Sequence, residues 1–435
     1  MAGHPFGELL RTLRRRHGLT QAELGRGFCT KAHISAIETG VRAPSGHVVR
    51  HLLERLPERR ALAEALVASY PPRADWLQAG LALALWGEVA GARTILNALT
   101  QLPRGTTGHG ARALAWTRFL DGRLDQAVPL LRGGVEHYRR RGHFREAAWA
   151  LWELGMMLAE AAPGPDALWC FREARRTWTR QGDQADQRFR AIVLHSEARA
   201  LQRMGAHRRA EEQAAKAARL YRALGDQVGE GHALLEAAHA AHGAGALERG
   251  RLLADEARER FLSTGHAPCL GIAELAVAIA LLDQGPARAS EAAQRLARAE
   301  ANLAQTRPEL VLFTRSERAR LALLQGDLAG ARALVEAALQ APAPSSERAH
   351  QLCLAAAVGQ KPWPEARQEL LRLAGAIPSP WERHATLRSA ARLCMQLGRW
   401  RWAAELYQAG ESWWEASWWD PSDPEASTAL SGVSR

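Results

Sequence analysis

Breaks in this 435-residue chain return about every forty residues, and that period limits what it can fold into. Gly122, Pro163-Gly164, Gly205, Gly245, Gly285 and Gly326 interrupt sequence that otherwise favours helix. A small residue follows each break in a recurrent frame: Ala127, Ala167, Ala210, Gly250, Ser290 and Ala331, with gaps of 40, 43, 40, 40 and 41 residues. A second small residue stands seven later, as Gly134, Ala174, Ala217, Ala257, Ala297 and Ala338. Ala, Leu, Arg and Glu dominate between the breaks, and β-branched residues are sparse. Each period therefore predicts a helix, a tight turn and a second helix, with small side chains where two helices approach closely. One such pair cannot bury its apolar face alone and must stack on its neighbours. Eight or nine pairs fit between residues 75 and 417, so the expected class is all-α.

The frame resembles the tetratricopeptide repeat (TPR), in a variety longer than the usual period of about 34 residues. The resemblance implies a right-handed α-solenoid whose concave face is lined by the first helix of each pair. Carried onto this sequence, the inward positions include His109, Arg112, Trp116 and Phe119, then Trp149 and Trp152. Further along they include His195 and Arg199, then His232 and His239, and a wholly apolar set around Ile279. The implied ligand site is Arg112, Trp116, Trp149, Trp152, His195, Arg199 and His239, with Arg112 or Arg199 clamping a carboxylate.

The first seventy residues follow a different rule. Phe6, Leu9, Leu10 and Leu13 recur at helical spacing and form one apolar stripe. Gly18 stops that helix, and Thr20 with Glu23 three residues on forms a capping box for the next. A break at Gly27-Phe28-Cys29 follows, and Thr30 caps a third helix in which Ile34 and Ile37 face inward. Gly40 ends that helix, and Pro44-Ser45 opens a fourth that reaches about Leu56.

The stretch "LTQAELGRGFCTKAHISAIETGVRAPS" resembles the Cro/C1 (XRE)-type helix-turn-helix. Thr20, Gln21, Leu24, Ile34, Ser35, Ile37, Glu38, Gly40, Pro44 and Ser45 fall on its pattern. The turn before Thr30 is similar to that of TPR-bearing regulators, the RRNPP-type quorum-sensing receptors. The resemblance implies a four- or five-helix head whose third helix enters the major groove of double-stranded DNA. Residue by residue it turns Thr30, Lys31, Ala32, His33 and Ala36 toward the bases, with Gln21 and Arg42 on phosphates. RRNPP peptide receptors bond the ligand backbone with asparagines. This chain has only Asn97 and Asn302, outside the inward frame. A peptide, a small molecule and a protein partner therefore all stay open as guests.

Charge fits a polyanion partner and a solvated basic surface alike. Residues 1–60 hold eleven Arg or Lys against five Glu, a surplus of six within a chain of net charge +11. The cysteines at 29, 170, 269, 353 and 394 follow no pairing or metal spacing, which fits free thiols in the cytoplasm. No apolar run is long enough to span a membrane, and no leader pattern opens the sequence. Walker, GxSxG, HExxH and kinase signatures are missing, so no enzyme and no cofactor is expected. His232, Glu236, His239 and His242 lie near one helical face, and the expected reading is a polar groove patch rather than a metal site.

Six tryptophans between Trp400 and Trp419 are expected to cap the last repeat or to meet a partner. The expected organisation is a DNA-binding domain over 1–70, a repeat domain over 71–419 for sensing and dimerisation, and a flexible tail over 420–435. The expected function is a homodimeric, sequence-specific transcription regulator. The alternative is a TPR interaction scaffold whose helix-turn-helix docks a protein or has lost DNA.

Overall fold

The computed structural model describes residues 5–26, 28–85, 88–101, 107–161, 163–179, 187–377 and 380–418. Expectations for Gly27, Trp419 and the tail at 420–435 lie outside them. The described residues form two compact units: the first runs to Met157 and resumes at Arg176, and the second comprises Leu158–Arg175 and the chain from 187 onward. Among the described residues there are twenty-three α-helices and no strand. None of these helices is long and apolar enough to cross a membrane.

Five helices make the head: α1 (Pro5–Arg16), α2 (Gln21–Gly25), α3 (Lys31–Glu38), α4 (Gly46–Arg55) and α5 (Arg59–Ser69). The helix starts obey their caps. Thr20 Oγ1 accepts from Glu23 N at 3.1 Å while Glu23 Oε2 accepts from Thr20 N at 2.8 Å, completing the capping box. Gly40 takes the left-handed φ of 73° that ends α3.

In the same unit follow α6 (Leu77–Leu85), α7 (Val89–Thr100), α8 (Thr107–Leu120) and α9 (Leu124–Arg140). The helices α10 (Phe144–Ala161) and α11 (Pro165–Thr179) begin the passage into the second unit. The head is anchored on the first repeat pair, α4 packing on α6 and α5 on α7. Trp76 is fully buried, and its indole N–H donates to Pro44 O at 3.2 Å. Gly46 N donates to Asp75 Oδ2 at 3.0 Å, and a Cβ on Gly46 would lie 1.8 Å from Asp75 O. Glycine is the residue that permits this approach.

The second unit continues with α12 (Gln187–Arg203), α13 (His207–Ala223), α14 (Gln227–Gly243), α15 (Leu247–Thr264), α16 (Ala267–Asp283) and α17 (Ala289–Thr306). It closes with α18 (Val311–Leu324), α19 (Leu328–Gln340), α20 (Ser345–Ala357), α21 (Trp363–Gly375), α22 (Pro380–Gln396) and α23 (Trp400–Trp418). From α6 to α23 the helices count as nine consecutive pairs. The sequence breaks fall inside the pairs: Gly245, for example, joins α14 to α15. Its φ of 85° lets Ala246 N reach back to Ala241 O at 2.9 Å, closing the helix end.

The recurrent small residues sit on the second helix of each pair and face the first. Ala210, Ala217, Ala257, Ala331 and Ala338 are buried. A Cβ on Gly250 would lie 3.1 Å from Ala238 O, so glycine sets how closely α15 approaches α14. One pair departs from the expected frame. Ser290 and Ala297 are exposed, and Ala292 and Ala299 are buried in their place. The cause is a 3-10 turn over Pro286–Arg288. After Gly122, Gly205, Gly245 and Gly326 the second helix starts two residues on, as from Gly205 to His207; here α17 starts four after Gly285. The buried frame shifts by the difference.

The end of the second unit returns to its beginning. Arg203 on α12 meets Glu382 on α22 at 3.0 Å, across 179 residues of sequence. Arg392 on α22 donates to His242 O at 3.2 Å and Gly243 O at 2.7 Å, the last turn of α14. Near the last pairs Trp363 on α21 and Trp402 on α23 stack with centroids 4.4 Å apart, while Trp400 is exposed. Side chains from 412 onward, including Trp413, Trp414 and Trp418, lie outside the described residues.

The shifted frame makes a direct prediction. Ala299→Leu overpacks the contact of α17 with α16 and costs roughly 1–3 kcal/mol. Ala297→Leu, two residues away on the open face, stays within roughly 0.5 kcal/mol of wild type. Urea unfolding of the two variants checks the difference, and equal midpoints would refute the assignment.

Candidate nucleic-acid interface and sensor cleft

The head is organised around one buried carboxylate. Glu38, the last residue of α3, is 3% exposed and accepts from Arg14 Nη2 at 3.1 Å and from Gln21 Nε2 at 2.8 Å. Arg14 also donates to Leu19 O at 2.9 Å, so α1, the α1–α2 turn, α2 and α3 are tied at one point. Burial disfavours the Glu38 anion, but the hydrogen bonds from Arg14 and Gln21 outweigh it and hold the carboxyl below its ordinary range.

That tie fixes which part of α3 faces outward. Lys31 and Ala32, in its first turn, are exposed, as is Arg42 beyond its end, and Ala36 is half-buried. Thr30 is exposed, but its hydroxyl is engaged as the helix cap, accepting from His33 N at 3.3 Å. His33 is half-buried, and its Nε2 is shut from solvent with no hydrogen-bond partner. Gln21, expected on a phosphate, already spends one amide N–H on Glu38. Lys31 is therefore the exposed charged side chain in the first turn of α3. The sequence reading also missed Phe28, which is 49% exposed and stacks on His51 with centroids 4.7 Å apart.

A second site lies wholly in the second unit. A cleft of about 1560 Å³ is lined by the first helices α12, α14, α16, α18, α20 and α22, together with the start of α13. Leu275, Ile279 and Phe313 give it an apolar wall. A chain of polar contacts crosses it. His242 and Arg320 both bond Asp283, Arg320 also meets Glu317 at 3.2 Å, and His350 lies 3.5 Å from Glu317. Burial opposes ionisation of Asp283, but His242 and Arg320 keep its carboxyl below the ordinary range.

Of the seven expected ligand residues, His239 lines this cleft. The others are placed elsewhere. Arg112 is buried and its Nε donates to both oxygens of Glu153, at 3.1 and 3.0 Å. Burial works against its charge, Glu153 more than restores it, and no donor face is left to clamp a guest. Trp116 and Trp152 are core residues, Trp116 lying edge-on to Phe119. Trp149 is half-buried and packs edge-on against Trp152 and Trp178. Arg199 is paired with Glu160 at 2.5 Å, and His195 stacks on His232. Large rings and compensated charges gain more from the contacts between helices than from an open groove. The histidines that share a face in the sequence also diverge: His232 lies 3.6 Å from Cys269, while His242 turns to Asp283.

The residues that sequence reasoning missed are on α22 and at the start of α13. His384, Arg388, Arg392 and His207 all line the cleft. His207 is driven down to about 4, by burial first and then by Arg392, Arg388 and His242 around it.

With this geometry in place, comparison with known proteins gives two findings. The family model described as a helix-turn-helix domain matches residues 5–66. Solved structures match the repeats. A Rap protein complexed with competence and sporulation factor superposes with a TM-score of 0.56 at 12% identity, over 78% of this chain and 97% of that one. The Rap conjugation gene regulator of plasmid pLS20, in complex with its Phr peptide, gives 0.53 at 11%, over 83% and 98%. Aspartyl phosphate phosphatase F from Bacillus subtilis gives 0.51 at 11%, over 78% and 93%. At such identities the likeness is one of fold. A comparison with curated proteins found no matching sequence. The chain thus carries a helix-turn-helix head and Rap-like helical repeats.

The Glu38 tie is testable. Glu38→Ala strands the buried Arg14 guanidinium and costs roughly 3–5 kcal/mol. Because the folded carboxyl sits below its ordinary value of 4.5, its contribution is complete above that pH and is lost as pH falls through the lower folded value. Melting of wild type and Glu38→Gln between pH 7 and 3 checks this. Wild type should lose its advantage over the variant on the acid side, and parallel curves would contradict the assignment.

Proposed function

We propose that this chain is a DNA-binding transcription regulator whose repeats take a guest in the α12–α22 cleft. The observation that carries the first half is the helix-turn-helix head with the first turn of α3 turned outward, Lys31 and Ala32 exposed. Lys31 supplies the hydrogen-bonding contact to a base edge, and Ala32 and Ala36 offer apolar contact to thymine methyls. Arg42, with its side chain exposed, contacts the phosphate backbone. Such a small reading set gives modest discrimination per half-site, so a homodimer on paired half-sites supplies the rest.

The second half rests on the cleft and on the peptide-bound Rap structures, whose fold the repeats share. The guest is a peptide, a small molecule or a segment of a protein partner. Its binding energy, different in two arrangements of the repeats, would bias the spacing of the two heads. The chain acts by binding rather than by catalysis, in the cytoplasm, where its free thiols at Cys29, Cys170, Cys269, Cys353 and Cys394 stay reduced.

Gel-shift experiments on genomic fragments of the host test the first half. Wild type should retard specific fragments, with affinity falling steeply as salt rises. Lys31→Ala should lose roughly 1–3 kcal/mol on those fragments while keeping its fold. No retardation at low salt, or a Lys31→Ala variant that binds like wild type, would defeat the reading.

A further inference from the structure

The α13–α22 end of the cleft concentrates positive charge without a counter-charge. Arg392 is held there by two hydrogen bonds to the carbonyls of His242 and Gly243, which fix its guanidinium, and among the described residues it has no carboxylate partner. Arg388, one turn earlier on α22, forms no ion pair among the described residues, and it lines the same wall. His207 opens α13 and packs over the end of α14, where a Cβ on Gly243 would lie 2.4 Å from its Nδ1. That Nδ1 is shut from solvent and has no hydrogen-bond partner. Arg208 and Arg209 follow on the same rim.

The acids of the cleft are engaged elsewhere. Asp283 holds His242 and Arg320, Glu317 meets Arg320 and His350, and Glu382 meets Arg203. Glu347 accepts from Ser316 and Gln351, and Glu411 lies 4.0 Å from His384. Glu212, on α13, is exposed and forms no ion pair with these arginines among the described residues. Two guanidiniums and a neutral imidazole thus converge on a partly enclosed space beside the apolar wall of Leu275, Ile279 and Phe313. Crowding like charges away from bulk water is unfavourable, and an anion among them relieves it through charge-assisted hydrogen bonds. The burial and positive surroundings that keep His207 neutral report the same potential.

We propose that this end of the cleft is an anion seat, in which Arg388, Arg392 and His207 hold a carboxylate or phosphate group of the guest while its apolar part lies on Leu275, Ile279 and Phe313. The inference rests on the reading of the cleft as the guest site and adds the chemistry of the guest. It also orients the guest, the anionic end at α22 and the apolar end toward α16 and α18.

Calorimetric titration of the full chain tests it with three ligands: inorganic pyrophosphate, a leucine-rich pentapeptide with a free carboxylate, and the same peptide amidated. Wild type should show one saturable site that Arg388→Gln weakens about tenfold or more. Arg388→Gln/Arg392→Gln should abolish it, and Arg219→Gln, on an exposed face of α13, should leave it alone. Binding of the acid peptide but not the amide identifies a carboxylate, and Arg388-dependent binding of pyrophosphate alone identifies a phosphate; either supports the seat. Binding of all three ligands unchanged in Arg388→Gln, or no saturable binding of any, overturns it. Among the described residues Arg388 forms no hydrogen bond or ion pair, so that variant serves even where loss of Arg392 unfolds α22. Gel shifts run beside the titrations separate the two proposals. A chain that binds no DNA yet takes up anions through Arg388 refutes the regulator and keeps the seat. A DNA binder without Arg388 dependence does the reverse.

Discussion

Within the second unit, everything depends on a few arginines that reach across the chain. The last turn of any helix carries carbonyls with no partner inside the helix and a partial negative charge. Arg392 donates to two carbonyls of the last turn of α14, Gly243 O and His242 O (which also accepts from Gly245 N), from a helix 150 residues further along. Arg203 and Glu382 make a second tie nearby. These contacts set α22 opposite α12 and α14, and a row of helix pairs becomes an enclosed cleft. They also explain why the cleft is charged at that end. An arginine that binds neutral carbonyls keeps its positive charge available.

Buried carboxylates fix the register of the pairs. Glu153, Glu197, Glu230, Glu274 and Asp283 all lie on first helices, and each is met by arginine from another helix: Arg112, Arg175, Arg222 with Arg260, Arg295 and Arg320. A buried ion pair adds little net stability over a well-packed apolar contact, but a slipped partner would strand a charge in the core. The pairs therefore act on specificity. The alanines at the contacts would tolerate several registers, and the ion pairs select one. Glu38 plays the same part in the head, where it ties α1, α2 and α3 through Arg14 and Gln21.

What could be read from the sequence was local. The glycine breaks, the small residues seven apart, the caps at Thr20 and Thr30 and the end at Gly40 each depend on neighbours within a turn or two, and they gave the helix-turn-helix and the pairs. The frame failed at Ser290 and Ala297 because a 3-10 turn added two residues that periodicity alone does not reveal. The site failed for a different reason. A tryptophan or arginine on a first helix has the same signature whether it faces a groove or a neighbour. Arg112 finds Glu153 at 41 residues' distance, and nothing at either position announces the other. The wall supplied by α22 was invisible because its contacts span 150 and 179 residues. His239, lying among small residues on α14, was the one expected ligand residue that the fold left facing the cleft.

Hydrogen–deuterium exchange of the full chain is the most direct test of the long-range closure of the second unit. Amides of α22 and the last turn of α14 should be protected in wild type. In Arg203→Ala/Arg392→Ala they should exchange markedly faster, with α16–α18 unchanged. Equal exchange in the two proteins would show that α22 is held by its neighbours α20 and α23 alone, and that the cleft does not depend on the arginine ties.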